Sequence, residues 1–172
     1  MIDLTVITAT IPERALMLAE LAAALDVQTE RPEWLIEVDE DGDGPVPHLN
    51  RLAEKVDTEW IFRLDDDDLV DPDHFEILAD YLTDDYDVVY SWPADHPRPP
   101  RISPRTACRS SCRCAPWRPQ LHCVRCSVRT SLWCELGEHD VAEEDHDLWI
   151  RAYPRERTVP VCAAGDVDVP DG

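Results

Sequence analysis

Trp60-Ile61-Phe62-Arg63-Leu64-Asp65-Asp66-Asp67-Asp68-Leu69 joins a β-rich apolar run to four consecutive aspartates. Bulky and branched residues suit a strand. Adjacent carboxylates repel one another, so gathering them costs energy unless a cation or solvent compensates. The strand therefore ends near Leu64, and an acidic turn follows.

Outward from this point, the same unit repeats. Leu4-Thr5-Val6-Ile7 and Trp34-Leu35-Ile36-Glu37-Val38 are strand-like, and Val88-Val89-Tyr90 is a fourth such run. Three helical faces lie between them at i, i+3, i+4, i+7 spacing: Leu18, Leu21, Ala22, Leu25; then Leu49, Leu52, Ala53, Val56; then Phe75, Leu78, Ala79, Leu82. Thr10-Ile11-Pro12-Glu13 is expected to start the first helix with threonine as cap. Asp71-Pro72 is expected to cap and open the third. A βαβαβαβ order predicts an α/β fold, a mostly parallel sheet with helices on both faces.

In such sheets ligands bind beyond the carboxyl ends of the strands. Thr8, Thr10, Asp39 and Asp65 to Asp68 all fall there. On a tight turn, alternate aspartates can aim at one point, and two carboxylates plus two phosphate oxygens suit Mg²⁺ or Mn²⁺. Such an ion neutralises the charge on a leaving diphosphate. The plainer alternative is a solvated acidic turn that caps the next helix, a role open to Asp71 and Asp68.

At 172 residues the chain is expected to form about one domain. No run approaches the ~18 apolar residues of a membrane span. The start has no basic signal region, so a cytoplasmic place is expected. A net charge of -21 argues against nucleic acid. Residues 1–95 carry 26 acids and 5 bases, 96–134 carry 8 arginines and no acid, and 135–172 carry 11 acids and 3 arginines. That break marks a boundary, and the chain divides into an α/β half over 1–95 that carries the crevice, an irregular Arg/Pro/Cys segment over 96–130, ordered structure over 131–153 with a helix from Asp145 to Tyr153, and an irregular tail over 154–172.

Ordered matches in the chain resemble family 2 glycosyltransferases of the GT-A fold, a Rossmann-like nucleotide-binding sheet. Leu64-Asp65-Asp66-Asp67-Asp68-Leu69 resembles their D-x-D segment, and Val6-Ile7-Thr8-Ala9-Thr10 their first strand and nucleotide-contacting turn. Gln28-Thr29, Val38-Asp39-Glu40-Asp41-Gly42 and Asn50-Arg51 match motifs around strand two and the next helix. Glu144-Asp145 with Leu148-Trp149 and Arg151 resembles a late "ED…lW.R" motif. The resemblance implies a nucleotide-diphosphate sugar as donor and an acceptor hydroxyl on a glycan, lipid or protein. It implies that Thr8, Ala9, Thr10, Asp39, Asn50, Asp65 and Asp66 line the nucleotide-sugar. Asp67, with Asp65, would ligate Mn²⁺ or Mg²⁺. Asp145 would be the general base for an inverting displacement. Asp147 is its rival, and a charged first helical turn is the plain alternative for Glu143-Glu144-Asp145.

The segment over 96–130 has three readings. Cys123-x-x-Cys126 is a zinc half-site that Cys108, Cys112 or Cys114 could complete. A basic insert is the second. The third is a shifted reading frame around 96–130 and 154–172. With 15 arginines and one lysine, the chain suggests GC-rich coding. Shifted by one nucleotide, both Trp117–His122 and Thr158–Pro170 can be re-read as strand-like sequence. That reading leaves the nucleotide half intact and the activity of the chain in question.

Three other functions compete. Asp39-Glu40-Asp41-Gly42-Asp43-Gly44 fits the start of an EF-hand calcium loop, but its twelfth position is Asn50 and a strand precedes it. A nucleotidyltransferase would carry a Gly-rich, basic loop after strand one, where the chain offers only Arg14. A non-catalytic nucleotide-binding remnant is the third.

Overall fold

A computed structural model describes residues 2–92, 125–136 and 158–162. Strand β1 (Leu4–Thr10) runs through a 3-10 turn (Pro12–Arg14) into helix α1 (Ala15–Asp26). Then follow β2 (Glu33–Val38), α2 (Pro45–Ala53), β3 (Trp60–Arg63), α3 (His74–Ala79) and β4 (Val88–Trp92). Beyond them lie β5 (Arg125–Arg129), α4 (Thr130–Leu136) and β6 (Thr158–Cys162). The six strands form one sheet in the order β2-β1-β3-β5-β4-β6. β1 pairs in parallel with β2 and β3, and β4 with β6. β5 is antiparallel to both of its neighbours, so β1 to β4 all point one way.

Alternation along the strands splits the core in two. Ile7, Ile61, Val88 and Val128 pack with Leu49, Leu52, Leu132 and Trp133 on the face covered by α2 and α4. Val6, Trp60, Phe62 and Val89 pack with Leu21, Leu25, Phe75 and Leu78 on the face of α1 and α3. Phe62 meets Phe75 edge-on at 5.4 Å between ring centroids, and burying such a ring stabilises by roughly 1.5–3 kcal/mol. Helices on both faces of a mostly parallel sheet are the architecture that the periodicity predicts. Among the described residues, no helix is long and apolar enough to cross a membrane.

Several expectations are corrected. Thr10 ends β1 instead of capping α1; Ile11, extended at φ -118°, stands before the turn, and Pro12 opens it. Asp71-Pro72 forms a turn, and α3 starts later, at His74. Gln28 and Thr29 explain why: the Gln28 side chain donates to Asp71 O at 2.8 Å and Thr29 N to Pro72 O at 2.9 Å, tying up the carbonyls of that turn.

Two stretches within the segments expected to be irregular are strands. Arg125–Arg129 is a strand inside the sheet, in register from Trp60↔Arg129 to Arg63↔Cys126. Thr158–Cys162, as written, is a strand beside β4. Among the described residues β6 is an edge strand, where the missing N–H of Pro160 breaks no second ladder. The helix expected at Asp145 to Tyr153, the ED motif and Cys108, Cys112, Cys114 and Cys123 lie outside the described residues.

Candidate nucleotide-sugar site

The parallel pairing brings three strand ends together. Asp39 N donates to Thr10 O at 2.7 Å and Leu64 N to Ile7 O at 3.1 Å. The acidic run leaves β3 as a turn closed by Asp68 N on Asp65 O at 3.1 Å. Alternate side chains then diverge. Asp66 is buried, 2% exposed, whereas the Asp65 and Asp67 side chains are 45% and 51% exposed.

Asp66, expected at the nucleotide-sugar, is instead an internal anchor. It accepts the Thr10 hydroxyl at 2.5 Å and Arg14 Nη1 at 2.7 Å. A buried carboxylate needs such partners, and both arrive from the end of β1. Thr8 is likewise withdrawn from the crevice surface: its buried hydroxyl donates to Leu64 O at 2.8 Å and accepts the Trp34 indole N–H at 3.0 Å. Thr10 is buried with its hydroxyl spent on Asp66, and Ala9 packs against the α2 face of the core. Asn50 is partly buried in α2. Asp145 lies outside the described residues.

Asp39 caps its own loop. Oδ1 accepts the N–H of Gly42 and Asp43, and Oδ2 that of Gly44, at 2.7 to 3.1 Å. Burial pushes this carboxyl up, but those N–H groups and His48 outweigh it and hold it below the usual range. Gly42 and Gly44 take φ of 78° and 85°, which the loop requires. With its first acid spent on its own backbone, a strand before it and α2 beginning at Pro45, this loop is not an EF-hand.

Two residues were missed as site components. Arg14 reaches both Asp66 and Asp67, the latter at 3.5 Å; it is the only base in the first 30 residues of a strongly acidic half, and that was its signal. His48 is buried between Glu37 and Asp39, 3.3 Å from each, with Arg51 Nη2 at 2.8 Å. Its signal was a polar position beside Leu49 and Leu52 on the helix that follows the acidic loop.

Asp65 is gripped by the Arg63 fork at 3.2 to 3.4 Å. Burial raises its carboxyl above the usual range, Arg63 opposes this, and Asp68 and Asp67 add to it. Among the described residues, no group of three or more His, Cys, Asp or Glu forms a metal cage. Two half-exposed carboxylates on one turn nevertheless fit a hard ion that keeps most positions for phosphate and water.

A family model described as glycosyl transferase family 2 matches residues 19–121. No curated protein matches in sequence. Among solved structures, the chain is similar to S. aureus TarS 1-349 at TM-score 0.69 and 14% identity, over 94% of this chain and 58% of that one. The same fragment in complex with UDP gives 0.70 at the same identity and coverage. The chain thus spans 58% of the TarS fragment's length. CMP:2-keto-3-deoxy-manno-octonic acid synthetase complexed with CTP follows at 0.52 and 14% identity, over 97% and 93%. At such identities these likenesses show a shared fold. The family match covers more than half of the chain, from within α1 through the crevice and past the charge break near residue 96, and the chain belongs to glycosyl transferase family 2.

Proposed function

We propose that the chain transfers a sugar from a nucleoside-diphosphate sugar to an acceptor hydroxyl on a glycan, lipid or protein, with a divalent ion and with inversion. The observation that carries this reading is the outward pair Asp65 and Asp67 at the meeting of three strand ends. Asp67, with Asp65, would hold Mn²⁺ or Mg²⁺, which when bound neutralises the leaving diphosphate. Asp145 would take the proton of the acceptor hydroxyl as its oxygen bonds to the anomeric carbon and the bond to the diphosphate breaks. Arg63 holds Asp65 in place, and Asp39 shapes the neighbouring loop.

The TarS fragment was solved with UDP, so UDP is the first nucleotide to try. Calorimetry with UDP, GDP and CTP, with and without Mn²⁺, followed by a transfer assay with UDP- and GDP-sugars, tests the reading. Metal-dependent binding that Asp67→Ala abolishes supports it. Nucleotide binding indifferent to metal and to that substitution overturns it. Metal-dependent binding without transfer from any UDP- or GDP-sugar would leave the non-catalytic remnant. A preference for CTP would favour the nucleotidyltransferase reading.

A further inference from the structure

The geometry points to Arg14 as the residue that receives the donor's diphosphate, aimed by Asp66 and held back by Asp67 until a divalent ion claims that carboxylate. This rests on the nucleotide-sugar reading. The guanidinium is fixed at one end: Nη1 lies 2.7 Å from Oδ1 of buried Asp66, whose Oδ2 accepts the Thr10 hydroxyl. That contact stabilises one orientation of a side chain that is otherwise 43% exposed. The rest of the planar fork can still donate, and paired donors on a plane match phosphate oxygens. Arg63, the other arginine of the turn, is a poorer choice. Its side chain is 11% exposed and its fork lies on Asp65.

Nη1 also lies 3.5 Å from Asp67, the outermost carboxylate of the turn. Without metal, Arg14 therefore supplies part of the charge balance that an ion would supply. Once Asp67 turns to an ion, that share of the arginine's field is released toward the phosphates. Metal and diphosphate thus bind cooperatively through one side chain, and a nucleoside monophosphate gains less from it.

The experiment is calorimetry of the full chain and of Arg14→Gln, titrated with Mn²⁺ alone and then with UDP, UMP, GDP and GMP in Mn²⁺. Arg14→Gln should weaken binding of the diphosphate that the wild type prefers by roughly ten-fold, as for a lost hydrogen bond to a charged group. The matching monophosphate should change little. Mn²⁺ alone should bind Arg14→Gln several-fold more tightly, because a competing cation is gone. An unchanged diphosphate-to-monophosphate ratio, or weaker Mn²⁺ binding, overturns the inference. If circular dichroism shows Arg14→Gln unfolded, Arg14→Lys decides: it keeps the charge and loses the fork, and the ratio should fall part of the way. An unchanged ratio there overturns the inference as well. A wild type that binds no nucleotide with Mn²⁺ sinks the nucleotide-sugar reading and this inference together, whereas a wild type that binds like Arg14→Gln sinks only the role of Arg14.

Discussion

Asp66 and Asp67 are chemically identical neighbours with opposite fates, and their substitutions should separate. Asp66→Asn leaves Arg14 without its anion and puts an amide opposite the Thr10 hydroxyl in a buried place. We expect a loss of about 1–3 kcal/mol, read from urea unfolding. Asp67→Ala removes an exposed member of a repelling run, so stability should stay within about 0.5 kcal/mol while Mn²⁺-dependent nucleotide binding disappears. If both substitutions destabilise equally, the inward and outward assignments are wrong. The run itself announced a turn and an ion. Which aspartate would be buried was not legible, because four like residues carry no register. Thr10 and Arg14 choose it, from more than 50 positions away.

The β2–α2 loop and strand β5 show what an element adds. The Asp39 carboxyl is held below its ordinary value, near 3.9 when unfolded. A group depressed on folding contributes stability that is present above its unfolded pKa and lost as pH falls through its folded one. Asp39→Asn should therefore lower the urea midpoint at pH 7, and its gap to wild type should narrow below about pH 4. A gap independent of pH would remove the charge from this account. Gly44→Ala should cost about 1–3 kcal/mol from backbone strain alone, because φ 85° with ψ 172° is a region open essentially to glycine, while a Cβ there meets nothing within 4 Å. Strands β1 to β4 were legible because each carries a local apolar run bounded by turn residues. β5 was not, since Ser127 and Val128 are both buried and its ends are arginines that read as basic insert. Yet Arg129 is a strut: it donates to Tyr86 O at 2.8 Å and Thr83 O at 2.7 Å, pairs with Glu59, and lies 4.8 Å over the Trp60 ring. Arg129→Ala should cost about 2 kcal/mol or more, and Arg129→Lys should recover only part, because an ammonium cannot reproduce the fork.

Across the whole molecule, the sheet joins segments whose charges differ sharply. β1 to β4 belong to the stretch with 26 acids and 5 bases, while β5 comes from the stretch with 8 arginines and no acid. The arginine-rich stretch thus places Arg129 against Glu59, Asp84 and Asp87. That pairing was hidden in the sequence, since its partners are more than 40 positions apart. It leaves the net charge of -21 as it is, because that sum already counts Arg129 and its partners. Exposed pairs such as Arg31 with Asp26 contribute almost nothing to stability, so unbalanced repulsion among carboxylates dominates the long-range field. Added salt shortens the Debye length from about 10 Å at 0.1 M to about 3 Å at 1 M. It weakens that repulsion more than it weakens the few close pairs. The melting temperature should therefore rise steadily with NaCl, measured in a metal-free buffer at pH 7. A fall would mean that close ion pairs, Arg129 and Arg14 foremost, outweigh the net charge. Mn²⁺ should raise it further than NaCl of equal ionic strength, and Asp67→Ala should lose that excess while keeping the NaCl effect, because screening acts on the whole charge and the ion acts on one turn.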